Sequence, residues 1–131
     1  MGMIINPYLV QPSGPSYGAL TTAWIATTGE TDLTILGALN TLESDLTTYG
    51  LTAKLTALYP FAGGTSTKHS YNFMNTAQYQ ITFNGGWTHS STGSLPNGTN
   101  AYANTGILAS SFGSDYMLNF YSRTNTAGLL S

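Results

Sequence analysis

One stretch of this chain carries an apolar stripe at helical spacing, and a glycine follows it directly. Its apolar residues recur every three or four positions, as on one face of an α-helix: Ile35, Leu39, Leu42, Leu46 and Tyr49. Thr31 can cap the start, Asp32 suits the positive end of the helix dipole, and Gly50 suits the position after the last turn. The pattern predicts a helix over residues 31–49.

After this helix, the periodicity changes from helical to alternating. Residues 51–58 are predicted to form a second short helix that Pro60 stops. Residues 79–84 alternate between apolar and polar, which is typical of a half-buried strand. The Asn-Gly-Gly sequence at 84–86 predicts a hairpin turn, with residues 87–90 as the returning strand. Further strands are predicted at 69–75, 101–105 and 117–123, with a loop over 93–100.

The chain before residue 19 is rich in proline and yet apolar. Pro7, Pro12 and Pro15 prevent a regular helix there, whereas a disordered linker would carry fewer apolar residues. We therefore expect an extended arm that packs either on a partner or on its own domain. Its candidate assembly contacts are Ile4, Ile5, Tyr8, Leu9 and Val10.

Taken in order, these elements predict an α+β fold rather than an alternating βαβ fold. The expected organisation is an extended N-terminal arm over residues 1–18, a helical segment over 19–60 and an antiparallel β region over 61–131. The helical segment is expected to contain a helical hairpin; residues 19–28 carry only a weak helical pattern, and their threonine-rich sequence favours a strand equally well.

Two stretches resemble known protein families, the first a module of bacteriophage structural proteins and the second a jelly-roll strand. Residues 49–69, with Leu-Tyr-Pro-Phe-Ala-Gly-Gly-Thr at 58–65, resemble a module in which a helical pair ends in such a turn and enters a β domain. Residues 97–106, Asn-Gly-Thr-Asn-Ala-Tyr-Ala-Asn-Thr-Gly, resemble the opening strand of concanavalin A-like, laminin-G-like jelly rolls. The resemblance implies a fibre-type or decoration-type virion protein. Because a jelly roll needs more strands than follow here, either a longer chain or neighbouring copies would complete the sheet.

Charge is scarce, since only 6% of the residues are charged, against about 25% in a typical soluble domain. A polar surface of hydroxyls and amides suits a protein that is held in a fixed assembly. The three basic residues are too few and too scattered to bind nucleic acid, and no apolar run approaches the roughly 20 residues of a membrane span. The chain has no cysteine, which excludes disulfides and thiolate chemistry.

Catalytic and metal sites lack the residues that they would need. His69 and His89 are the two histidines, and Asp115 is the only acid after residue 45. Neither a metal-ligand set nor the paired carboxylates of a glycosidase can be built from them in the β region. The carboxylates at 30, 32, 43 and 45 are expected at a helix N-terminus and on a solvated helix face. We expect no enzymatic activity, cofactor or metal.

Aromatic side chains in the β region leave two interpretations open. Rings flanked by amides and hydroxyls can bind the apolar face of a sugar, but they can equally fill a core or a subunit interface. Trp87, Asn100 and Tyr102 are therefore candidate glycan or interface contacts.

The expected function is that of a virion structural protein of a bacteriophage, in a tail fibre, a head fibre or a capsid decoration. It would assemble through its arm and helices with other virion proteins and with copies of itself, and a trimer is one arrangement that fibres use. The alternative is a lectin-like carbohydrate-binding module that attaches the particle to glycans on the host surface.

Overall fold

The computed structural model describes residues 14–114 and 116–123, and its elements are mixed helix and strand, which confirms the α+β class. The helices are α1 (Ala19–Thr28), α2 (Leu33–Thr48) and α3 (Ser66–Ser70), and the strands are β1 (Thr82–Asn84), β2 (Trp87–Ser90), β3 (Gly93–Pro96) and β4 (Tyr102–Asn104). A single 3-10 turn follows at Ala109–Ser111. The predicted arm contacts Ile4, Ile5, Tyr8, Leu9 and Val10 lie outside the described residues.

The predicted helical hairpin is present as α1 and α2, and local signals explain its boundaries. The α1 helix ends where Gly29 adopts a left-handed backbone with φ 62°. Asp32, rather than Thr31, caps α2, because its carboxylate accepts from the backbone N–H groups of Thr34 (2.8 Å) and Ile35 (3.3 Å). Gly50, with φ 66°, follows the end of α2 as predicted.

The core lies between this hairpin and the chain that follows it. Trp24 is completely buried, and its ring meets Tyr71 and Phe73 edge-on at centroid distances of 6.4 and 5.9 Å. Such edge-to-face pairs add to the free energy gained from aromatic burial. The core cluster is Trp24, Leu39 and Phe73, with Leu20, Ile35, Leu42, Leu58, Ala62 and Tyr71 packed around it.

The helix predicted over residues 51–58 is wrong, because a buried asparagine holds this stretch in an irregular path. The side-chain oxygen of Asn72 accepts from the N–H groups of Leu58 and Met74, both at 3.0 Å. Its side-chain nitrogen donates to the carbonyl of Thr56 at 3.3 Å, and the N–H of Phe73 donates to the carbonyl of Leu58 at 2.8 Å. These bonds compete with the intrahelical bonds that residues 51–58 would otherwise form.

Two of the predicted strands are also wrong or shortened. Residues 66–70 form the helix α3, whose N-terminus the Thr65 hydroxyl caps by accepting from the N–H of Lys68 at 3.2 Å, so no strand covers 69–75. The strand predicted at 79–84 begins only at Thr82. Tyr79 has a positive φ of 55°, which a strand cannot contain, and its carbonyl accepts a hydrogen bond from the Tyr59 hydroxyl.

The four strands form two antiparallel two-stranded sheets, β1–β4 and β2–β3, which follow one another in a nested hairpin over residues 82–104 that we call the β-ribbon. β2 pairs with β3 across a two-residue turn at 91–92, and β1 pairs with β4. Between these pairs, the N–H of Asn97 donates to the carbonyl of Gly86 at 2.9 Å, so the two arms stay in contact while residues 97–101 bulge out of one of them. The predicted strands at 87–90 and 101–105 are confirmed, with β4 covering 102–104.

The hairpin turn predicted at residues 84–86 is wrong, and so is the loop predicted over all of 93–100, because β3 occupies 93–96. Gly85 has the positive φ (76°) of a turn residue, but it serves a different purpose. A Cβ atom there would lie 2.2 Å from the carbonyl oxygen of Asn100, so only glycine allows the arms to approach this closely. Chain reversal occurs at 91–92 instead.

Among residues 105–114 and 116–123, which follow the β-ribbon, the only regular element is the 3-10 turn at Ala109–Ser111. Residues 117–123 were predicted as a strand, and that prediction is wrong, since they form neither helix nor strand. Across residues 14–114 and 116–123, the only strands are those of the two small sheets of the β-ribbon. Within the same residues, no helix has both the length and the apolar character needed to cross a membrane.

Candidate functional site

The three residues predicted as glycan or interface contacts come together at the middle of the β-ribbon. The indole N–H of Trp87 donates to the carbonyl of Asn84 at 2.9 Å and to that of Tyr102 at 3.3 Å. The side-chain oxygen of Asn100 accepts from the N–H of Gly86 at 3.2 Å. Trp87 and Asn100 therefore join the two arms of the ribbon at the bulge, Asn100 from within it and Trp87 through Tyr102 just after it.

Of these three residues, Tyr102 is the one whose large ring is offered to solvent. Its side chain is 61% exposed, whereas Trp87 is half-buried and its N–H is already used within the ribbon. Asn100 is exposed, but its side-chain oxygen also accepts from the side-chain amide of Asn97 at 2.8 Å. The arrangement can place an aromatic ring beside amide groups, which suits either a sugar ring or a protein surface.

Trp87 belongs to an aromatic cluster that runs from the ribbon to α3. The ring of Phe83 contacts Trp87 and His89 at centroid distances of 5.2 and 4.7 Å, and Trp87 is stacked with His89 at 6.3 Å. The cluster consists of Phe61, His69, Phe83, Trp87 and His89. The half-buried indole of Trp87 therefore packs against other side chains of the domain.

The two histidines meet at the buried end of this cluster. Their Nδ1 atoms are 2.9 Å apart, so one ring donates its single Nδ1 proton to the other. His69 is completely buried, and this burial, together with repulsion from His89, lowers the pKa of His69 to about 4. Burial also lowers the pKa of His89. Both rings are thus neutral at pH 7, and the pair joins α3 to the ribbon.

The carboxylates of the helical segment act as structural acceptors. Glu43, on α2, accepts from the N–H of Leu20, the N–H of Thr21 and the Thr21 hydroxyl at 2.8–2.9 Å. Glu30 is 6% exposed and pairs with Lys68, with 3.0 Å between its Oε2 and the lysine Nζ. Glu43 therefore does not lie on the solvated helix face predicted for it, whereas Glu30 lies just before the N-terminus of α2, as predicted, and its Oε1 accepts from the N–H groups of Thr31 and Asp32 at 3.0 Å. No cluster of three metal-ligating side chains exists in the described parts of the chain.

Sequence reasoning missed the role of Glu43, although a signal for it exists. Position 43 is four residues after Leu39 and three before Leu46, so it lies inside the apolar stripe of α2. An acid in such a stripe must face the neighbouring helix. Because it faces that helix, the Glu43 carboxylate can reach the first turn of α1.

A second surface feature is a run of exposed apolar side chains, which we call the apolar segment, residues 116–121. Five of its six side chains are large and apolar, and their exposed fractions lie between 68% and 90%: Tyr116, Met117, Leu118, Phe120 and Tyr121. The segment ends near the tip of the ribbon, where Nη1 of Arg123 donates to the carbonyl of Thr92 at 2.8 Å. A run of large apolar residues was visible in the sequence, but its exposure was not.

Two shallow depressions lie away from these features. One, of about 350 Å³, is lined by residues of α3 and β1 with their flanking residues, and the other, of about 270 Å³, lies beside Glu43. Neither is lined by Trp87, Asn100 or Tyr102. Comparison with protein-family models, with curated proteins and with solved structures finds no match to this chain.

Proposed function

We propose that this chain is a non-enzymatic structural protein of a bacteriophage particle, and that it acts by assembling with other virion proteins and with copies of itself. The observation that carries the proposal is the apolar segment. Contiguous exposed apolar surface on a soluble protein marks an interaction site, whereas single exposed apolar residues are ordinary. Five large apolar side chains within six residues exceed what scattered exposure explains.

The small number of free charged side chains supports an assembled state. The described residues include seven charged side chains, of which five contact other groups of the protein: Glu30, Asp32, Glu43, Lys68 and Arg123. Few charges are left to keep separate copies apart in solution, and low surface charge promotes association. A protein with this surface is suited to a partner-covered state.

The choice of a virion rests on the sequence resemblance. Residues 58–65, which resemble the turn of the phage module, connect the helical hairpin to α3 and the β-ribbon. Phe61, Gly63 and Gly64 in this turn all have a positive φ. A complete jelly roll remains part of the proposal, with the missing strands supplied by neighbouring copies or by a longer chain.

The test is the native mass of the purified chain, measured by light scattering across a tenfold dilution. We expect a discrete oligomer, and we expect the double variant Leu118→Asp/Phe120→Asp to shift it to a 13.9-kDa monomer. Leu33→Asp is the matched control, because Leu33 is likewise a large exposed apolar residue (68%) but belongs to α2 and not to the apolar segment. A wild-type chain that stays monomeric at every concentration would refute the assembly function. Detecting its peptides in purified phage particles would test the virion assignment.

The lectin-like alternative is favoured by one observation, the exposed ring of Tyr102, which directly follows the bulge that carries Asn97 and Asn100. A glycan array would test it, with Tyr102→Ala compared with Tyr49→Ala. Tyr49 is a similarly exposed tyrosine (75%), but it lies at the end of α2 and not in the β-ribbon, so its loss should leave glycan binding unchanged. Saturable binding that only Tyr102→Ala abolishes would favour the lectin function.

A further inference from the structure

We propose that the apolar segment of one copy packs along the open edge of the β-ribbon of a second copy, on the arm that carries β3 and β4. The inference rests on the proposed assembly function and names the two surfaces that meet. Residues 116–121 of one copy are the strand that is added, which we call the donor. The arm over residues 93–104 of the other copy is the edge that receives it, which we call the acceptor.

The donor has the composition of a β-strand that can pair with an open sheet edge. Residues 116–121 contain no charge, no proline and no glycine, and they are rich in aromatic residues, which favour strands. With their present exposure, the five large side chains would bury roughly 800 Å² if a partner covered them. That area is about what each partner contributes to a standard stable interface.

The acceptor is a two-stranded ribbon, and such ribbons are marginally stable on their own. The described residues supply no third strand to either arm, so the outer edge of β4 has no strand beside it. All three residues of β4 are exposed, and the same arm carries two exposed large side chains, Leu95 (56%) and Tyr102 (61%). An added strand would find backbone partners at this edge and apolar contacts beside it.

A second copy fits these features better than a foreign protein, because one chain carries both of them. A reciprocal exchange about a twofold axis would cover two apolar segments and two open edges at once. A foreign strand would cover the edge but leave the apolar segment exposed. Electrostatics do not oppose self-association, since Asp115 is the only charged residue between Lys68 and Arg123.

The absence of cysteine from this chain allows a direct test by disulfide trapping. Tyr102→Cys and Leu118→Cys are made as separate variants, purified, mixed and oxidised. We expect a covalent dimer that contains one copy of each variant. The control mixture pairs Tyr102→Cys with Leu33→Cys, whose comparable exposure reports random collision. We expect at least a tenfold higher yield from the first mixture.

The outcomes separate this inference from the proposed function. A discrete oligomer without selective trapping would mean that copies assemble through another face, which overturns the inference and leaves the assembly function standing. A monomeric wild-type chain would overturn both. If the double variant Tyr102→Cys/Leu118→Cys instead forms its disulfide within one chain, the segment packs on its own ribbon, and the second copy is not its partner.

Discussion

The carboxylate of Glu43 links α2 to the first turn of α1, and its removal should lower the free energy of unfolding. The first turn of a helix leaves N–H groups without helical partners, and α1 has no capping side chain of its own because Gly18 occupies its N-cap. Glu43 supplies the acceptor from across the hairpin, with two bonds to N–H groups and one to the Thr21 hydroxyl.

Glu43→Ala removes these bonds without lowering the helix propensity of α2, since alanine is the best helix former. Loss of an N-cap costs about 1 kcal/mol, and bonds to a charged acceptor are worth more than neutral ones. We therefore expect a loss of about 2 kcal/mol, measured by urea denaturation with circular dichroism. Asp45→Ala is the control, because Asp45 is an exposed acid on the same helix, and its loss should cost less than about 0.5 kcal/mol.

Gly18→Ala tests the same link while keeping the charge. A Cβ at position 18 would lie 2.3 Å from the side-chain carboxyl carbon of Glu43, so the carboxylate would have to move away from α1. We expect a loss comparable to that of Glu43→Ala. If Glu43→Ala costs no more than Asp45→Ala, or if Gly18→Ala is neutral, the carboxylate does not hold α1 and the reasoning fails.

The pH dependence of this link has a definite sign. Burial alone raises the pKa of Glu43, but the hydrogen bonds from Thr21 and Leu20 outweigh it, so the pKa of Glu43 lies below its ordinary value of 4.5. A carboxyl group with a lowered pKa stabilises the fold fully above that ordinary value. This stabilisation should disappear as the pH falls through the lowered pKa. Glu43→Ala should therefore lose less stability than the wild type between pH 5 and pH 2.

Three further predictions concern the remaining buried polar groups. Asn72→Ala should cost about 3 kcal/mol in urea denaturation, because it removes three hydrogen bonds of a buried side chain; a cost below about 1 kcal/mol would show that Asn72 does not hold the chain path. Since the pKa of His69 is lowered to about 4, its titration should cost about 2.5 kcal/mol of stability from pH 6.5 to pH 4, and the double variant His69→Phe/His89→Phe should remove that part of the slope in pH-dependent melts. Lys68→Met should cost about 1 kcal/mol by leaving the buried Glu30 without its cation, and an unchanged melting temperature would contradict this role.

Helix α2 could be predicted because its signals are local. The apolar stripe of α2, the acid at its start and Gly50 at its end all lie within one stretch of chain, and each acts through neighbours three or four residues away. The predictions failed where a side chain bonds to distant backbone. The Asn72 side chain bonds to the backbone of residues 56 and 58, and the Asn100 side chain bonds to the N–H of Gly86 across the ribbon. The periodicity of the sequence does not indicate bonds of this kind.

The residues of the candidate site could be predicted from their types, but the contacts that bring them together could not. Trp87, Asn100 and Tyr102 were chosen by residue type, and the ribbon brings them together through strand pairings that the sequence did not indicate. The exposure of residues 116–121 is a property of the whole fold, because it depends on what fails to pack over them. A run of apolar residues predicts burial by default, and only the three-dimensional arrangement distinguishes a core strand from an uncovered one.

The nested pairing of the β-ribbon also determines the order in which it can form. β1 and β4 are separated by residues 85–101, and closing that loop in an unfolded chain costs entropy. β2 and β3 need only a two-residue turn, and hairpins of this kind form within microseconds. Once β2 and β3 have paired, the flexible chain that must close between β1 and β4 is reduced to the residues on either side of the β2–β3 hairpin. Ribbon formation should therefore proceed from the tip at 91–92 toward β1 and β4, so substitutions in the tip should slow folding, whereas substitutions in β4 should mainly speed unfolding.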